Sequence, residues 1–301
     1  MRHIQLVSGN DSLTTAIVQK TRCPDLLYEY VFNDTYAELP EVQVWLDKAE
    51  LYLGAPIIRI GENLEDVIMD QGVLPGHGPI GRFCTRIAKI EPLETFIGTS
   101  EATVYYGLRA DEPDRVGYKE NGKHAIHASY PLRELGMTKP LVWHMLQQLD
   151  LLAPQFFWQD VYDRVLDRLG PIARDFIENL LPWERAMLFS WRTRPNCYYC
   201  YFQRKYEWIG LLCIHPDLYW HAAEIEENVG KDNGKKQRVK MYTWRQGESL
   251  RELALQKDEV IDKRVSTICK AIIKKAQGGL FVDEEQGDEL GLTSCGLYCG
   301  K

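Results

Sequence analysis

Short apolar segments and helical segments alternate over residues 1 to about 145, and this alternation limits the possible folds more than any other feature. Strands that are separated by helices need crossover connections, which are typical of parallel sheets. We therefore expect an α/β fold with a doubly wound, mostly parallel sheet, whose ligands bind at the carboxyl ends of the strands. The pattern predicts strands at residues 3–7, 27–32, 55–60 and 103–108, and helices at residues 13–20, 40–53 and 63–69.

From about residue 146 the strand signals fade, and residues 146–301 are predicted to be mainly helical. The longest amphipathic segments are residues 158–169, 171–181 and 249–277. We expect an apolar stripe on the first of them to be core: Trp158, Val161, Tyr162, Val165 and Leu169. Residues 231–240 are rich in lysine and arginine, and we interpret them as a solvated loop or a contact to nucleic-acid phosphates.

Composition restricts the class of protein. The 36 basic and 43 acidic residues give a formal charge of −7, which argues against a protein that binds nucleic acid over its whole surface. No segment approaches the roughly 20 apolar residues of a membrane span, and the first residues lack a secretory signal, so we expect a cytoplasmic protein with no membrane partner. In that compartment the eight cysteines are expected to be buried, metal-bound or catalytic, and we interpret Cys23, Cys213 and Cys269 as core.

Polar residues follow the predicted strands, where a ligand of such a sheet would bind. The first of these segments lies between a strand and a helix, and its backbone N–H groups and hydroxyls suit a phosphate chain: Ser8, Gly9, Asn10, Asp11 and Ser12. A capped turn is the structural alternative for this segment. The second segment contains Asp34, Thr35 and Glu38, the third Arg82, Thr85 and Lys89, and the fourth Gly107, Arg109, Asp111 and Glu112. The last of these can also be read as a solvated ion network.

Taken together, these four segments resemble the PP-loop ATP pyrophosphatases of the phosphoadenosine phosphosulfate reductase-like group. The resemblance extends through about residue 210 and includes their order and spacing. It implies an adenine nucleotide alpha hydrolase-like fold in which ATP, with Mg²⁺, lies along the sheet edge. The residues of the first segment would surround its phosphates, Asp11 would assist the Mg²⁺, and Arg109 and Lys89 would offset negative charge in the transition state. The sequence departs from the family loop, which reads Ser-Gly-Gly-x-Asp-Ser, because it is one residue shorter and lacks the second glycine.

Two cysteine pairs provide a second signal. Cys197 and Cys200 form a C-x-x-C motif, and Cys295 and Cys299 form a C-x-x-x-C motif. Four thiolates suffice for an iron–sulfur cluster or a structural zinc, while packing and a disordered tail are the alternative. The segment from Cys197 to Trp208 resembles relatives that modify nucleic acids, in which paired cysteines often ligate a [4Fe–4S] cluster.

Three functional hypotheses follow from the resemblance. The first is an ATP pyrophosphatase that adenylates a substrate oxygen for sulfur insertion into a nucleic acid, as in DNA phosphorothioation, with a cysteine desulfurase as the sulfur donor. The second is a phosphoadenylyl or adenylyl sulfate reductase that uses Cys295 as nucleophile and thioredoxin as electron donor, although Ser294 and Tyr298 stand where such enzymes have Glu and His. The third is a nucleotide-binding subunit without catalysis.

Overall fold

A computed structural model describes residues 1–76, 81–118, 125–229 and 242–276. Within them, the chain forms two compact units. The first comprises Met1–Pro154 and Pro195–Cys197, and the second comprises Gln155–Arg194 and the described residues from Tyr198 onward. The predicted basic loop at residues 231–240 and the cysteines Cys295 and Cys299 lie outside the described residues.

The first unit is built on a five-stranded, all-parallel sheet with the strand order β3-β2-β1-β4-β5. The strands are β1 (Arg2–Leu6), β2 (Tyr28–Asn33), β3 (Ile57–Ile60), β4 (Ala102–Tyr105) and β5 (Ile126–Ser129). Strand order reverses between β1 and β4, which makes their carboxyl ends the topological switch point of the sheet. The predicted α/β class and the mostly parallel sheet are therefore confirmed.

Helices of the first unit cover both faces of the sheet. They are α1 (Asn10–Arg22), α2 (Pro40–Leu53), α3 (Leu64–Gln71), α4 (Phe83–Thr85), a π-helical turn (Arg86–Ile90), α5 (Glu91–Ile97), α6 (Pro131–Glu134) and α7 (Lys139–Gln148). On one face, Leu93 and Ile97 of α5 pack with Ile4 of β1 and Val104 of β4. On the other face, the hydroxyl of Tyr28 donates a hydrogen bond to the Gln19 carbonyl of α1. Successive residues along each strand point to opposite faces of the sheet, and both faces are covered by helices.

The second unit is helical, as the sequence predicts. Its helices are α8 (Gln159–Leu169), α9 (Pro171–Glu178), α10 (Pro182–Leu188), α11 (Lys205–Ile214), α12 (Pro216–Asn228), α13 (Leu250–Leu255) and α14 (Lys257–Ala276). Trp158, Val161 and Val165 of the predicted apolar stripe are fully buried. The amphipathic segment predicted at 249–277 forms two helices over its described residues, because the helix is interrupted at Gln256. A Ser249–Glu252 capping box starts the first of the two. Among the described residues, no helix combines the length and apolarity of a membrane span.

Two of the three cysteines interpreted as core are less buried than expected. Cys269 is buried, but Cys213 is only partly covered and Cys23 is exposed. Cys23 lies directly after the last residue of α1, at the C-cap, where the chain turns toward β2. An apolar sequence context at a helix terminus therefore does not ensure burial.

Glu226 of α12 is a buried carboxylate that fixes the start of α13. It accepts hydrogen bonds from the backbone N–H groups of Trp244 at 2.8 Å and Leu250 at 2.7 Å. Burial raises the pKa of Glu226 to about 7, despite these two donors. Glu226 therefore binds a proton more tightly in the folded protein than in the unfolded chain. As the pH rises from the unfolded pKa to the folded pKa, its contribution to the free energy of unfolding falls.

We predict that Glu226→Gln changes the pH dependence of stability. Between about pH 5 and about pH 8, the free energy of unfolding of the variant should rise relative to the wild type by about 1–3 kcal/mol, because the variant has no carboxylate to ionise. Urea titrations across this range measure the difference, with Glu224→Gln on the exposed side of α12 as control. A constant difference between Glu226→Gln and the wild type would contradict the prediction.

Candidate functional site

The turn between β1 and α1 lies at the switch point of the sheet, and its side chains define its shape. The Ser12 hydroxyl accepts hydrogen bonds from the backbone N–H groups of Ser8 at 2.7 Å and Gly9 at 3.1 Å. The Asn10 side chain accepts one from the N–H of Ala153 at 2.7 Å. Three of the predicted phosphate-binding side chains are thus engaged in holding the turn: Ser8, Asn10 and Ser12.

Backbone N–H groups remain as donors at this turn. The first N–H groups of a helix have no intrahelical acceptor, and within the described part of the chain no acceptor is recorded for those of Asn10, Asp11 and Ser12. They coincide with the positive end of the α1 dipole, where an anion is stabilised. The geometry therefore fits a polyphosphate bound by backbone groups rather than by hydroxyls.

Gly107 brings the end of β4 against this turn. A Cβ atom at Gly107 would lie 2.6 Å from the carbonyl carbon of Asp11 and 2.6 Å from the nitrogen of Ser12. Only a residue without a side chain permits this approach of two backbone segments. Gly107 therefore has a packing role, which places the fourth predicted segment directly beside the first.

Arg109 joins the same two segments electrostatically. Its guanidinium is almost fully buried and bonds Asp11 at 2.6 Å and Asp111 at 2.9 Å, and it lies 3.5 Å from Glu112. Glu112 also bonds Arg115 at 2.9 Å. Burial raises the pKa of Asp11. Burial also acts to raise the pKa of Asp111, but the hydrogen bond and charge of Arg109, together with backbone N–H donors such as that of Lys139, outweigh it and lower the pKa. Arg109 is thus the common partner of three carboxylates, and its guanidinium is buried rather than solvated.

Lys139 adds a cation that the sequence analysis did not identify. It is the first residue of α7, its backbone N–H donates to Asp111 at 3.2 Å, and its side chain interacts with Asp11 and Glu112. Burial and the neighbouring Arg109 lower the pKa of Lys139 to about 8. The local sequence marks Lys139 only as part of a Thr-Lys-Pro helix start, and such starts are too common to indicate a functional site.

The second and third predicted segments meet at the end of β2. Glu38 accepts hydrogen bonds from Thr35 and Ala37, and burial raises its pKa while Lys89 acts in the opposite direction. Lys89 lies in the π-helical turn rather than in a regular α-helix, and such turns are frequent at functional sites. Asp34 bonds Arg59 of β3 at 3.0 Å, another contact that sequence reasoning missed.

Arg82 directly precedes the short helix α4, Thr85 is the last residue of α4, and the π-helical turn follows. Both side chains are half-buried. The four predicted segments therefore all follow, or lie next to, carboxyl ends of strands at one edge of the sheet. Their roles in binding a nucleotide remain predictions.

Of the metal ions that the resemblance implies, Mg²⁺ suits the carboxylate at the turn. Asp11 uses one carboxylate oxygen for Arg109, and its side chain keeps 29% exposure, so the other oxygen can serve a hard cation such as Mg²⁺. For the cysteine-bound cluster, the structure describes only two of the four thiols, a buried Cys197 and a half-buried Cys200. Among the described residues, no group of three or more His, Cys, Asp and Glu side chains forms a metal site. The iron–sulfur or zinc centre stays a prediction.

The arginines before the C-x-x-C motif have partners of their own. Arg192 is fully buried and donates to the side-chain oxygen of Gln203 at 2.9 Å and to the carbonyl of Arg194 at 3.0 Å. Tyr198 within the motif bonds His221, and Tyr199 stacks on Trp244. These contacts fix the segment around Tyr198 and Tyr199 within the second unit.

Fold and site together define a doubly wound α/β protein whose switch point carries a strand–helix turn with backbone N–H donors beside a buried charge cluster. No family model matches the chain. Over 169 residues, which are 54% of this chain, it is 28% identical to a curated protein of Methanocaldococcus jannaschii named "Uncharacterized protein MJ0066". The matched region is 33% of that relative's length, so the chain spans about a third of it. The relative's name assigns no activity, and the activity, substrates and partners of this chain are proposals.

Proposed function

We propose that the protein is a PP-loop ATP pyrophosphatase that adenylates a substrate oxygen for sulfur insertion, with a nucleic acid as acceptor. The observation that supports this most is the turn at Ser8–Ser12, which directs backbone donors of α1 toward the switch point beside the Arg109 cluster. The resemblance of the four segments to PP-loop enzymes supplies the choice of ATP. The sulfur donor would be a cysteine desulfurase.

The reaction needs positioning and charge stabilisation rather than covalent catalysis by the protein. A substrate oxygen attacks the α-phosphorus of ATP, the bond to the β-phosphate oxygen breaks, and pyrophosphate leaves. The outer sulfur of the cysteine persulfide that a desulfurase forms then attacks the adenylated centre of the acceptor, and the adenylated oxygen leaves as part of AMP. An external thiol reduces the resulting disulfide, so that the sulfur stays on the acceptor and the donor cysteine is released. Backbone donors of Asn10 and Asp11 would hold the leaving pyrophosphate, and Arg109 and Lys89 would offset its charge. Mg²⁺ would supply further neutralisation at Asp11.

The proposal is tested by the products that the purified protein forms from ATP with Mg²⁺ and an oligonucleotide acceptor. Pyrophosphate and AMP are expected. ADP with inorganic phosphate, or no turnover in the presence of desulfurase and acceptor, would contradict the proposal.

We predict that Gly9→Ala weakens ATP binding but leaves the stability of the fold unchanged. Gly9 has an extended backbone with φ 169°, and an added Cβ would have its nearest neighbour, Pro195 Cγ, at 3.8 Å. The free energy of unfolding should therefore change by less than about 0.5 kcal/mol. A side chain at the turn hinders the approach of a phosphate chain to the backbone, so ATP affinity and pyrophosphate release should fall about tenfold. Wild-type affinity in the variant would argue against phosphate binding at this turn.

A further inference from the structure

Tyr36 has a backbone conformation that its residue type rarely adopts. Its φ is +58°, in the left-handed region that favours glycine. The ring is 73% exposed, and its side chain makes no recorded hydrogen bond or ring contact with the described residues. A tyrosine in this conformation, with an uncovered ring, is not explained by packing within the fold.

The surrounding turn holds Tyr36 in this conformation from both sides. The Asp34 carboxylate accepts a hydrogen bond from the Tyr36 N–H at 2.9 Å, and Glu38 accepts hydrogen bonds from Thr35 and Ala37. Gly61 passes so close that its Cβ would lie 2.0 Å from the Asp34 carbonyl oxygen. The ring is therefore presented on a fixed backbone, and strained residues held in this way cluster at ligand sites.

The position of Tyr36 indicates what the ring would contact. It follows the carboxyl end of β2, the neighbour of β1 on the side away from the switch point. In doubly wound sheets that bind phosphates at the turn after the first strand, a residue about 20 positions further along contacts the ribose. Asp34 and Tyr36 lie at about that distance along the chain from the Ser8–Ser12 turn. Both Asp34 oxygens already bond partners within the protein, one the Tyr36 N–H and the other Arg59. Because the Asp34 oxygens are engaged, we take the exposed ring of Tyr36 beside them as the group that would contact a base.

We propose that Tyr36 is a specificity-determining residue whose ring stacks on the adenine of the bound nucleotide. This inference rests on the proposed function, because it requires the phosphates to lie at the Ser8–Ser12 turn. Stacking of a base on an aromatic side chain contributes enough free energy for about a tenfold change in affinity. Stacking should survive the loss of the Tyr36 hydroxyl but not the loss of its aromatic ring.

The test uses the full chain with Mg²⁺ and two probes, α,β-methylene-ATP, which cannot release pyrophosphate, and inorganic tripolyphosphate, which has no base. Tyr36→Gly should bind the nucleotide about tenfold more weakly and tripolyphosphate as the wild type does. Tyr36→Phe should retain wild-type affinity for both. The thermal midpoint of Tyr36→Gly should be unchanged or raised, because glycine adopts the positive φ without strain.

The outcomes separate the two proposals. If the wild type binds neither probe, the proposed function fails. If it binds both and Tyr36→Gly keeps full affinity for the nucleotide, only the role of Tyr36 is refuted, and the same holds if Tyr36→Gly weakens both probes equally. Unchanged nucleotide affinity with weakened binding of a single-stranded oligonucleotide would assign the ring to the acceptor and overturn the adenine contact.

Discussion

Replacing Arg109 with methionine is expected to lower the free energy of unfolding at neutral pH by about 3–5 kcal/mol. The guanidinium is 6% exposed and is the partner of Asp11, Asp111 and Glu112. Without it, Arg115 and Lys139 are the cations that the described residues place beside these acids. Removing one member of a buried ion pair leaves uncompensated charge, which costs more than the pair itself contributes.

The loss caused by Arg109→Met should depend on pH. Without the guanidinium, the folded-state pKa values of the neighbouring carboxyls rise, so the folded variant binds more protons than the unfolded chain. Its stability relative to the wild type should therefore improve as the pH falls and the carboxyls become protonated. Chemical denaturation at several pH values measures this difference.

Arg86→Met is the matched control, because Arg86 is 69% exposed and pairs with an exposed Glu91. An exposed pair contributes about 0–1 kcal/mol, so this variant should remain close to the wild type. Equal effects of the two substitutions, or a pH-independent loss in Arg109→Met, would show that the cluster does not stabilise the end of β4.

Replacing Gly107 with alanine is expected to cost about 1–3 kcal/mol of stability and to reduce nucleotide binding more than about tenfold. The new methyl group would lie within 2.6 Å of backbone atoms of Asp11 and Ser12. Backbone cannot rotate away as a flexible side chain can, so β4 or the first turn of α1 must shift. Such a shift moves the N–H groups proposed to bind phosphate. Denaturation and α,β-methylene-ATP titration measure the two effects.

Gly81→Ala provides the comparison for this substitution. A Cβ at Gly81 would have its nearest neighbour, the Gly76 carbonyl oxygen, at 3.9 Å. Its stability should change by less than about 0.5 kcal/mol. If Gly107→Ala matches Gly81→Ala in stability and nucleotide affinity, the packing of β4 on the turn does not position the site.

Features with local causes could be predicted from the sequence. The predicted helix at 40–53 agrees with Pro40–Leu53, since proline starts a helix and Gly54 ends it in the left-handed conformation with φ 67°. The buried strands and their parallel arrangement follow from apolar runs separated by helices. The polar segments at the strand ends follow from the same pattern.

Features that depend on tertiary contacts could not be predicted. Strand β5 has only four residues, His127 is exposed, and the strand exists because it pairs with β4 at the sheet edge. Arg109 and Asp11 are separated by 98 positions, so their ion pair has no local signal. The same reason applies to Lys139, whose partners lie on other segments. The unusual φ of Tyr36 arises from Asp34, Glu38 and Gly61 acting together.

Hydrogen exchange of the backbone amides with and without ATP and Mg²⁺ tests most directly the claim that one edge of the sheet binds a nucleotide. We predict slower exchange in residues 8–13 and 33–38, where the triphosphate and the adenosine are placed, and in residues 107–112, which pack against the first turn of α1. Unchanged exchange in residues 8–13 at saturating ATP, or protection confined to the second unit, would contradict the account.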